Sequence, residues 1–358
     1  MKTVIYGIGD YGNRLVKRLI NRSDVVICAF VQTIPNCDEY MGYKVITPQK
    51  ICWDEIDAVA IASLDYYDEM LEELKKQPSY RKNKVYRYDE FLNLVYGAPY
   101  GSCGIENNTM SFIYRKDDYV IPARMILIDR TYAYESIDAF FSLVKEHYGD
   151  DFEKEGFFLD IGANIGTTSI YVKKKHPGLK VMAFELCSEN YDILRCNTII
   201  NHVEDIIVIN KGISNINGEV YYNYVPFNSG ASGIATFGEQ GYVATLDSVL
   251  DESGIKPRDI SFIWIDTEGH EMEVITGAKK TLESKKIPLF QEFNAQTYCS
   301  KRELMNSYSE LLGKVYSGFI DVERYLKGNK EVISIKELLN YIEKSVQDGE
   351  RQTDILFV

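Results

Sequence analysis

The sequence is poor in positive charge and has no long hydrophobic run. It contains 40 Lys and Arg against 53 Asp and Glu, which gives a formal net charge of −13. Nucleic-acid binding requires a basic surface that displaces counterions from phosphates, and no stripe of Lys and Arg with interleaved aromatic residues occurs. Asp10 interrupts the apolar N-terminal run before it reaches signal-peptide length, and no later run approaches membrane-spanning length. We therefore expect a cytoplasmic protein that has no transmembrane segment and binds no nucleic acid.

The cysteines lack the spacing of a metal site or a disulfide framework. There are seven, an odd number, scattered along the chain. None belongs to a CxxC pair, and none has a histidine at zinc-finger spacing. They are therefore expected to be reduced thiols, as in most cytosolic proteins.

The chain is long enough for two domains. Its 358 residues, 45% of them hydrophobic, exceed the size of one ordinary core. Short β-branched runs alternate with amphipathic stretches near both ends of the chain, and this alternation is typical of parallel βαβ units. Gly97-Ala98-Pro99 and Asn107-Asn108 have turn and linker chemistry. The predicted fold class is α/β with two Rossmann-like doubly wound domains: residues 1–95, then a linker and brace segment at 96–150, then residues 151–358.

The second domain is expected to contain seven strands. Five are predicted to alternate with helices, at 157–161, 180–185, 206–210, 261–266 and 287–293. The helices are predicted at 166–176, 188–201, 270–284 and 301–312. Two last strands at 318–325 and 354–358, separated by a helix at 335–346, would form a terminal pair that runs antiparallel. Residues 134–147 have apolar side chains at helical spacing and are expected to pack against this domain.

A glycine-containing turn follows the first strand of this domain. The run Asp160-Ile161-Gly162-Ala163-Asn164-Ile165-Gly166 occupies the strand-to-helix turn where a doubly wound sheet binds its ligand. Gly162 and Gly166 would leave room for a ligand beside the backbone, while Asp160 and Asn164 place short polar side chains at the rim. These four are the predicted cofactor-binding residues of the turn.

The chemistry of the turn favours an adenosyl sulfonium over a phosphate. A P-loop needs GxxxxGK and its lysine, whereas this turn carries Asp160 and Asn164 and no Lys or Arg. Glu185 ends the second strand about twenty residues further on, where a carboxylate accepts hydrogen bonds from ribose hydroxyls. S-adenosylmethionine has a positively charged sulfonium and no phosphate, so it suits this acidic turn.

Five sequence runs resemble those of FkbM-type methyltransferases. They are, in order, DIGANIGTTS, FELCSENYDILRCNTIIN, ATLDSVL, IWIDTEGHEMEVITGA and LFQEF, over about residues 156–293. The family usually has proline after the glutamate of the second run, whereas this chain has Leu186. The resemblance implies a seven-stranded class I methyltransferase sheet and S-adenosylmethionine as the cofactor, with Leu186 beside it. It also implies O-methyl transfer to a hydroxyl of a sugar, glycan or related metabolite.

A cluster of ionisable residues follows the predicted strand 261–266. Methyl transfer to a hydroxyl needs an aligned acceptor and a base, and Asp266, Glu268 and His270 lie at the rim of the glycine turn. Asp266 or His270 is the predicted base, Glu268 is a further catalytic candidate, and Asp266 is also expected to contact the cofactor. Alternatively, His270 only caps a helix or stays solvated, and Glu268 or Glu271 stabilises that helix N-terminus.

Two polar residues end the next strand at the same rim. Glu292 and Asn294, together with Glu271, are predicted to hydrogen-bond the acceptor. The alternative is that Asp266, Glu292 and Asn294 bind a magnesium ion that polarises the acceptor hydroxyl. The substrate role is favoured, and no metal is predicted.

Residues 221–233 interrupt the α/β alternation with aromatic and small polar side chains. Such side chains suit the faces and edges of carbohydrates, which predicts an acceptor-binding loop; the alternative is a surface β-hairpin with exposed tyrosines. Asn197 and Asn201 lie four apart, on one face of the predicted helix 188–201, and are interpreted as structural.

The first domain opens with a dinucleotide-type turn. Gly7-Ile8-Gly9-Asp10-Tyr11-Gly12 follows a predicted strand and begins a helix. The next strand ends in Ala29-Phe30-Val31-Gln32-Thr33, without the acidic residue that would bind an NAD ribose. The segment resembles the small Rossmann-like domains of polysaccharide-biosynthesis proteins. This resemblance implies a nucleotide-sugar site, a homo-oligomer contact or a packing role.

Three functions are compatible with these patterns. The favoured one is an S-adenosylmethionine-dependent O-methyltransferase acting on a small-molecule or glycan acceptor. The second is a nucleotide-sugar-binding regulatory or scaffold protein with an inactive methyltransferase domain, and the third is an NAD(P)-dependent oxidoreductase. The intact glycine turn, Glu185 and the run IDTEGHE favour the first.

Overall fold

The chain divides into two compact units, Met1–Gly101 and Ser102–Val358, in a computed structural model. The structure describes residues 1–19, 22–63, 66–95, 100–105, 109–115, 118, 120–121, 134–149, 155–225, 228–348 and 352–358. Parts of the predicted linker and brace, at 96–99, 106–108 and 122–133, lie outside these residues. The domain limits at residues 95 and 150 stay predictions. No helix in the described ranges combines the length and apolar character needed to cross a membrane.

The first unit contains a six-stranded sheet. Its strands are β1 (Lys2–Tyr6), β2 (Val26–Val31), β3 (Glu39–Tyr40), β4 (Tyr43–Ile46), β5 (Ala58–Ile61) and β6 (Val85–Arg87). The order is β3-β4-β2-β1-β5-β6, and only the β3–β4 pair is antiparallel. The helices are α1 (Asp10–Leu19), α2 (Tyr67–Lys75) and α3 (Tyr88–Val95). The central position of β1 places its glycine turn between the carboxyl ends of two parallel neighbours.

The remaining strands form three sheets. The strands are β7 (Tyr100–Ile105), β8 (Met110–Arg115), β9 (Gly156–Ile161), β10 (Leu179–Phe184), β11 (Ile207–Ile209), β12 (Gly212–Ile213), β13 (Gly218–Asn223), β14 (Gly233–Ala235), β15 (Glu239–Ala244), β16 (Ile260–Ile265), β17 (Leu289–Asn294), β18 (Gly318–Asp321), β19 (Ile333–Ser334) and β20 (Gln352–Phe357). The largest sheet has the order β11-β10-β9-β16-β17-β20-β18-β19. The others are β12-β15-β13-β14 and β7-β8.

The largest sheet has the architecture predicted for the second domain. Strands β11, β10, β9, β16 and β17 are parallel, and β20 is antiparallel to both of its neighbours, β17 and β18. Beyond the short edge strand β19, the sheet contains the seven predicted strands. The α/β class and the class I methyltransferase fold are therefore confirmed.

Ten helices are described in the second unit. They are α4 (Tyr134–Tyr148), α5 (Thr167–Lys175), α6 (Ser188–Ile200), α7 (Leu246–Ser253), α8 (Glu271–Gly277), α9 (Lys279–Ser284), α10 (Ala295–Ser300), α11 (Arg302–Val315), α12 (Val322–Leu326) and α13 (Leu338–Gln347). Helix α4 packs on the sheet through Phe140, whose ring centre lies 5.6 Å from those of Phe262 and Trp264. The aromatic core thus forms beneath the strands that carry the site.

Strand register brings the predicted site residues to one edge. Ile161 lies opposite Phe184 on one side and opposite Ile265 on the other, and Ile265 lies opposite Gln291. The residues that follow these positions are Gly162, Glu185, Asp266 and Glu292. Because all four strands are parallel, these residues lie at the same carboxyl edge.

Two predicted elements are wrong in their extent. The helix predicted at 270–284 is two helices, because Asp247 accepts hydrogen bonds from Lys280 N and Thr281 N, both 2.9 Å, and so caps α9 as a separate helix. The strand predicted at 318–325 ends at Asp321. The Asp321 side chain accepts a hydrogen bond from Arg324 N at 2.9 Å and begins α12.

Two asparagines, Asn197 of α6 and Asn201 at its C-terminal cap, attach strand β8 to this helix. Asn197 accepts a hydrogen bond from Ile113 N (2.7 Å) and donates to Ile113 O (3.1 Å) and Ile165 O (2.8 Å). Asn201 makes the same reciprocal pair with the Ser111 backbone, at 2.9 and 2.6 Å. Both residues therefore have the structural role predicted for them, and Asn197 also supports the glycine turn through Ile165.

Replacing Asn197 by Ala is expected to lower the free energy of unfolding by about 2–4 kcal/mol, because one buried and two partly buried backbone groups lose their partner. Urea unfolding followed by circular dichroism measures this change. Asn340→Ala, on the exposed face of α13, is the control and should change stability by less than about 0.5 kcal/mol. An Asn197→Ala protein as stable as this control would contradict the interpretation.

Candidate active site

The glycine turn between β9 and α5 packs directly against the end of β16. Gly162 has a φ of +89°, and a Cβ atom there would lie 1.8 Å from the Asp266 carbonyl oxygen, so only glycine fits. Asn164 also has a positive φ, 48°, which Asn tolerates better than most residues. Gly166 instead faces α6, where an added Cβ would lie 2.2 Å from Leu194 Cδ1. Gly166 therefore allows close packing against α6. It was predicted to leave room for the ligand, but it does not line either of the two cavities that flank the turn.

Asp160 lies beneath the turn. Its side chain is 1% exposed and accepts a hydrogen bond from the Ser169 hydroxyl of α5. Burial raises the pKa of Asp160 to about 6, although the bond from Ser169 opposes this shift. The carboxyl group is thus held in a fixed position, with a proton affinity unusual for Asp.

Glu185 connects the second strand with the glycine turn. One carboxylate oxygen accepts a hydrogen bond from Asn164 N and the other from Cys187 N, both 2.8 Å. Burial raises the pKa of Glu185 to about 7, against the lowering effect of these bonds. The Asn190 side chain supplies a third hydrogen bond to this carboxylate. A carboxylate can accept about four hydrogen bonds, so Glu185 keeps acceptor capacity for a ligand.

Two adjoining cavities flank the turn. The Glu185 cavity, about 550 Å³, is lined among others by Phe184, Glu185, Leu186, Asn190, Ile213 and His270. The Glu292 cavity, about 670 Å³, is lined among others by Asp160, Thr167, Thr168, Asn228, Trp264 and Glu292. Gly162, Asn164, Gly230, Asp266 and Glu268 line both. A single ligand can therefore extend from one cavity into the other past Gly162.

Three carboxylates converge where the cavities meet. One oxygen from each of Asp266, Glu268 and Glu292 lies within 4.8 Å of the others. Glu268 is held there in a left-handed backbone conformation, with a φ of 53°. The Asp266 side chain is exposed to solvent in the cleft. Partial desolvation by the surrounding walls, and then the charges of Glu292 and Glu268, raise its pKa above the ordinary value. The same three oxygens are close enough to bind a divalent cation.

Asn294 does not join this group. Its side-chain oxygen accepts a hydrogen bond from Thr297 N at 3.2 Å and caps α10, a helix that the sequence analysis did not predict. The acceptor and metal roles considered for Asn294 therefore conflict with its capping role. Glu268 takes its place beside Asp266 and Glu292.

Glu271 organises the loop that carries Asp266 and Glu268. It is fully buried, and one carboxylate oxygen accepts hydrogen bonds from Thr267 N (3.2 Å), Thr267 Oγ1 (3.1 Å) and Gly269 N (2.9 Å). Burial raises the pKa of Glu271 despite these bonds. A direct contact with the acceptor is excluded by this burial, and the alternative role at the start of α8 agrees with the geometry.

His270 faces the Glu185 cavity and does not line the Glu292 cavity. Its Nε2 lies 2.9 Å from Ser214 Oγ, and its Nδ1 lies 3.7 Å from Glu273 Oε2. Burial lowers the pKa of His270, which outweighs the opposing effect of Glu273. The imidazole is therefore engaged by protein groups and does not line the cavity that contains Asp160 and Glu292.

Leu186 packs in the position where the family usually has proline. It lines the Glu185 cavity, and its carbonyl oxygen accepts a hydrogen bond from Asn210 Nδ2 at 3.1 Å. A Cβ on Gly241 would lie 2.7 Å from Leu186 Cδ1. This close packing on the small sheet fixes the backbone after Glu185 without proline.

The predicted acceptor loop at 221–233 is part of the four-stranded sheet, and it contributes small residues to the cavities. Ser229, Gly230, Ser232 and Gly233 line the Glu185 cavity, and Asn228 and Gly230 line the Glu292 cavity. The tyrosines at 221–224 are not among the lining residues. Residues 226–227 lie outside the described residues. The strands thus form the hairpin of the alternative, but its tyrosines are only partly exposed as expected: Tyr221 is exposed, whereas Tyr222 is buried. The residues between the strands line the site.

Asp118 is a residue that the sequence analysis missed. One carboxylate oxygen accepts hydrogen bonds from Val120 N (2.9 Å) and Ile121 N (3.0 Å). The other accepts from Ser229 N (3.0 Å) and Ser229 Oγ (2.6 Å). Asp118 thereby ties the hairpin tip over both cavities. Its role depends on a partner 111 residues away, so no local pattern could have revealed it.

The first unit has a separate cavity of about 1120 Å³. It is lined by Thr33, Tyr66, Asp68, Glu69, Met70, Glu72 and Glu73. Thr33 Oγ1 is hydrogen-bonded to Tyr6 OH at 2.6 Å. Of its four acidic residues, Glu72 and Glu73 pair with Lys75 and Lys76. The nucleotide-sugar site considered for this unit stays a prediction.

Family models match both units. Residues 160–329 match the model described as Methyltransferase FkbM domain. Residues 1–86 match the model described as C2185-like, N-terminal.

Curated relatives match parts of the chain. Methyltransferase sdnD of Sordaria araneosa is 33% identical over 102 residues, which cover 26% of this chain and 39% of that protein. Hexuronic acid methyltransferase AglP of Haloferax volcanii is 28% identical over 136 residues, which cover 38% of this chain and 55% of that protein. The chain thus spans only part of the length of each relative.

Solved structures of low sequence identity also match. Methyltransferase FkbM from Methylobacillus flagellatus KT gives a TM-score of 0.35 at 16% identity, covering 100% of this chain and 90% of that chain. An O-methyltransferase from Bacillus cereus in complex with SAH gives 0.34 at 13% identity, covering 63% and 81%. The family-model match over residues 160–329 covers the glycine turn and the strands of the large sheet from β10 to β18. The second unit of this chain therefore contains a methyltransferase domain of the FkbM family.

Proposed function

We propose that the chain is an S-adenosylmethionine-dependent O-methyltransferase that methylates a hydroxyl of a sugar or a related hydroxylated metabolite. The observation that carries this proposal is the pair of adjoining cavities at the glycine turn. One contains Glu185, with acceptor capacity for ribose hydroxyls, and the other contains carboxylates that can take up a hydroxyl proton. A cofactor and an acceptor can thus meet beside Gly162 and Asp266.

The residues of the Glu185 cavity fit an adenosyl group. Glu185 would bind the ribose, and Leu186 and Ile213 offer apolar side chains for the adenine ring. The described lining of this cavity includes no Lys or Arg for a phosphate. When bound, S-adenosylmethionine supplies an electrophilic methyl group on a positively charged sulfonium. Asp160 and Asp266, toward the second cavity, provide negative charge that suits such a cation.

Asp266 is the proposed base. A carboxylate oxygen of Asp266 would take up the proton of the acceptor hydroxyl, while the bound cofactor would supply the methyl group. The raised pKa of Asp266 strengthens it as a proton acceptor compared with an ordinary Asp. Desolvation is the main cause of this shift, and the charges of Glu292 and Glu268 add to it. We propose that these two carboxylates also hydrogen-bond the acceptor. Glu271 acts indirectly as a positioning residue, by holding the backbone of Thr267 and Gly269.

The affinity for S-adenosylhomocysteine is expected to depend on the ionisation of Glu185. Ribose hydroxyls donate hydrogen bonds to the ionised carboxylate, so affinity should rise as pH passes through the Glu185 pKa of about 7. Below that pH, one proton must leave on binding, which weakens affinity by up to about tenfold per pH unit. Above it, the carboxylate is already ionised and affinity reaches a plateau. Calorimetric titration over this pH range measures the profile.

Glu185→Gln is the matched variant for this profile. It keeps the size of the side chain and removes the titration, so the step near neutral pH should disappear and the plateau affinity should fall at least about tenfold. Asp160 titrates in both the wild-type and the Glu185→Gln protein, so its effect is common to the two pH profiles. Superimposable pH profiles for the two proteins would contradict a ribose contact by Glu185.

Asp266→Asn should separate binding from turnover. The amide preserves the shape of the side chain but cannot accept the proton, so kcat should fall at least about 100-fold. Binding of S-adenosylhomocysteine should change little. The rate of methyl transfer is measured as the release of S-adenosylhomocysteine, with a panel of methyl glycosides as acceptors.

His270→Gln provides the comparison for Asp266→Asn. Because His270 faces the Glu185 cavity, this variant should keep most of its activity. A larger loss in His270→Gln than in Asp266→Asn would assign the base to the imidazole.

The same assay in EDTA should be unaffected. Loss of activity in EDTA that Mg²⁺ restores would show that Asp266, Glu268 and Glu292 act as cation ligands.

A further inference from the structure

Asp118 joins two cavity walls that come from distant parts of the chain. The backbone N–H groups of Val120 and Ile121 donate to one of its carboxylate oxygens, and these two residues line the Glu292 cavity. The N–H and hydroxyl groups of Ser229 donate to the other oxygen, and Ser229 lines the Glu185 cavity. One buried carboxylate therefore holds a wall of each cavity in place.

The four hydrogen bonds to Asp118 require a carboxylate. All of them are accepted by its side chain, and a carboxylate offers about four acceptor positions in total. The amide of an asparagine has an acceptor oxygen on one side only, and its NH₂ group would face the N–H donors of one wall. Asp118→Asn would therefore break the link between the two walls while preserving the size of the side chain.

Ser229 is also connected to the residues that hold Glu185. Its carbonyl oxygen accepts a hydrogen bond from Asn190 Nδ2 at 3.1 Å, and its Oγ lies 3.3 Å from Asn164 Oδ1. Asn164 and Asn190 both donate hydrogen bonds to the Glu185 carboxylate. A ligand that fixes Glu185 would therefore also fix these two asparagines and, through them, Ser229.

The residue after Ser229 packs between the two cavities. Gly230 lines both of them. A Cβ atom there would lie 3.4 Å from Ile121 Cδ1 and 3.7 Å from Asn164 Nδ2, so the hairpin tip, residues 228–230, packs closely on both the 120–121 wall and the glycine turn. The same short segment thus borders the Glu185 and Glu292 cavities, and its position affects both.

We propose that Asp118 is a positioning residue that couples the two cavities, so that the acceptor binds more tightly once the cofactor is in place. Binding in the Glu185 cavity orders Ser229 through Asn164 and Asn190, and Asp118 transmits this order to the 120–121 wall. An acceptor then meets a wall that is already fixed, which lowers the entropic cost of binding it. This inference rests on the proposed methyltransferase function and goes beyond it by assigning an order of binding.

Hydrogen exchange of the full chain, with and without S-adenosylhomocysteine, tests this coupling. The N–H groups of Val120 and Ile121 donate to Asp118, and neither residue lines the Glu185 cavity. We expect the ligand to slow exchange of the peptide that contains them at least about tenfold. Unchanged exchange of this peptide in a wild-type protein that binds the ligand would overturn the proposal.

Asp118→Asn separates transmission through Asp118 from direct contact with the ligand. In this variant, the ligand should slow exchange at 120–121 by less than about twofold. Equal slowing in the variant and the wild-type protein would show direct contact and would also overturn the proposal.

Asp247→Asn is the matched control for this variant. Asp247 likewise accepts hydrogen bonds from two backbone N–H groups and a hydroxyl, those of Lys280 and Thr281, and it lines neither cavity. The control should therefore show the slowing of the wild-type protein at 120–121. Loss of the slowing in this control as well would assign the effect to general destabilisation and contradict a specific role of Asp118.

Ser229→Ala keeps the proposal falsifiable if Asp118→Asn does not fold. It removes the hydroxyl that donates to Asp118 at 2.6 Å and keeps the backbone N–H. The slowing at 120–121 should fall at least about threefold because the link to Asp118 is weakened. Slowing equal to that of the wild-type protein would contradict the proposal.

Binding of S-adenosylhomocysteine distinguishes failure of this inference from failure of the proposed function. If the wild-type chain binds S-adenosylhomocysteine without slowing exchange at 120–121, the coupling is wrong while the methyltransferase proposal stands. If S-adenosylhomocysteine does not bind at all, both proposals fail together.

Discussion

The close approach of Gly162 to the Asp266 carbonyl is the constraint on which the rest of the site depends. Four parallel strands end at one level, and the turn after β9 fits against the end of β16 only because position 162 has no side chain. This contact fixes the backbone that separates the Glu185 and Glu292 cavities. Asn164 then links the turn to Glu185, and Asn197 supports it from α6. A single backbone contact thus determines where a ligand can cross from one cavity to the other.

The second feature of the site is its accumulation of partly desolvated carboxyl groups. Burial raises the pKa of Asp160 and Glu185, and at Asp266 neighbouring charges add to the shift. In the folded protein without ligand, ionising these groups is unfavourable, so stability is expected to fall as pH rises from the unfolded pKa values to the folded ones. A cationic cofactor would offset this cost. The excess of acidic residues in the chain is therefore also found at the site itself.

The sequence allowed a good prediction of the elements that local patterns encode. Alternating strands and helices, the glycine turn and the residues that follow the strand ends were all readable from periodicity and composition. Residues whose roles depend on distant partners were not: Asp118 acts on Ser229, and Asp247 divides the predicted helix 270–284 by capping α9. Glu271 was readable as a helix-start carboxylate, but its complete burial was not. Burial and long-range hydrogen bonds arise only after the chain has packed, which is why such roles escape a linear pattern.

The most direct measurement is a crystal structure of the full chain with S-adenosylhomocysteine. The account predicts that the ribose hydroxyls lie within hydrogen-bond distance of Glu185, that the adenine contacts Leu186, and that the sulfur faces the cavity of Asp266 and Glu292. Density for the ligand at the Gly7 turn of the first unit, or a reversed ligand with its adenine beside Glu292, would contradict it.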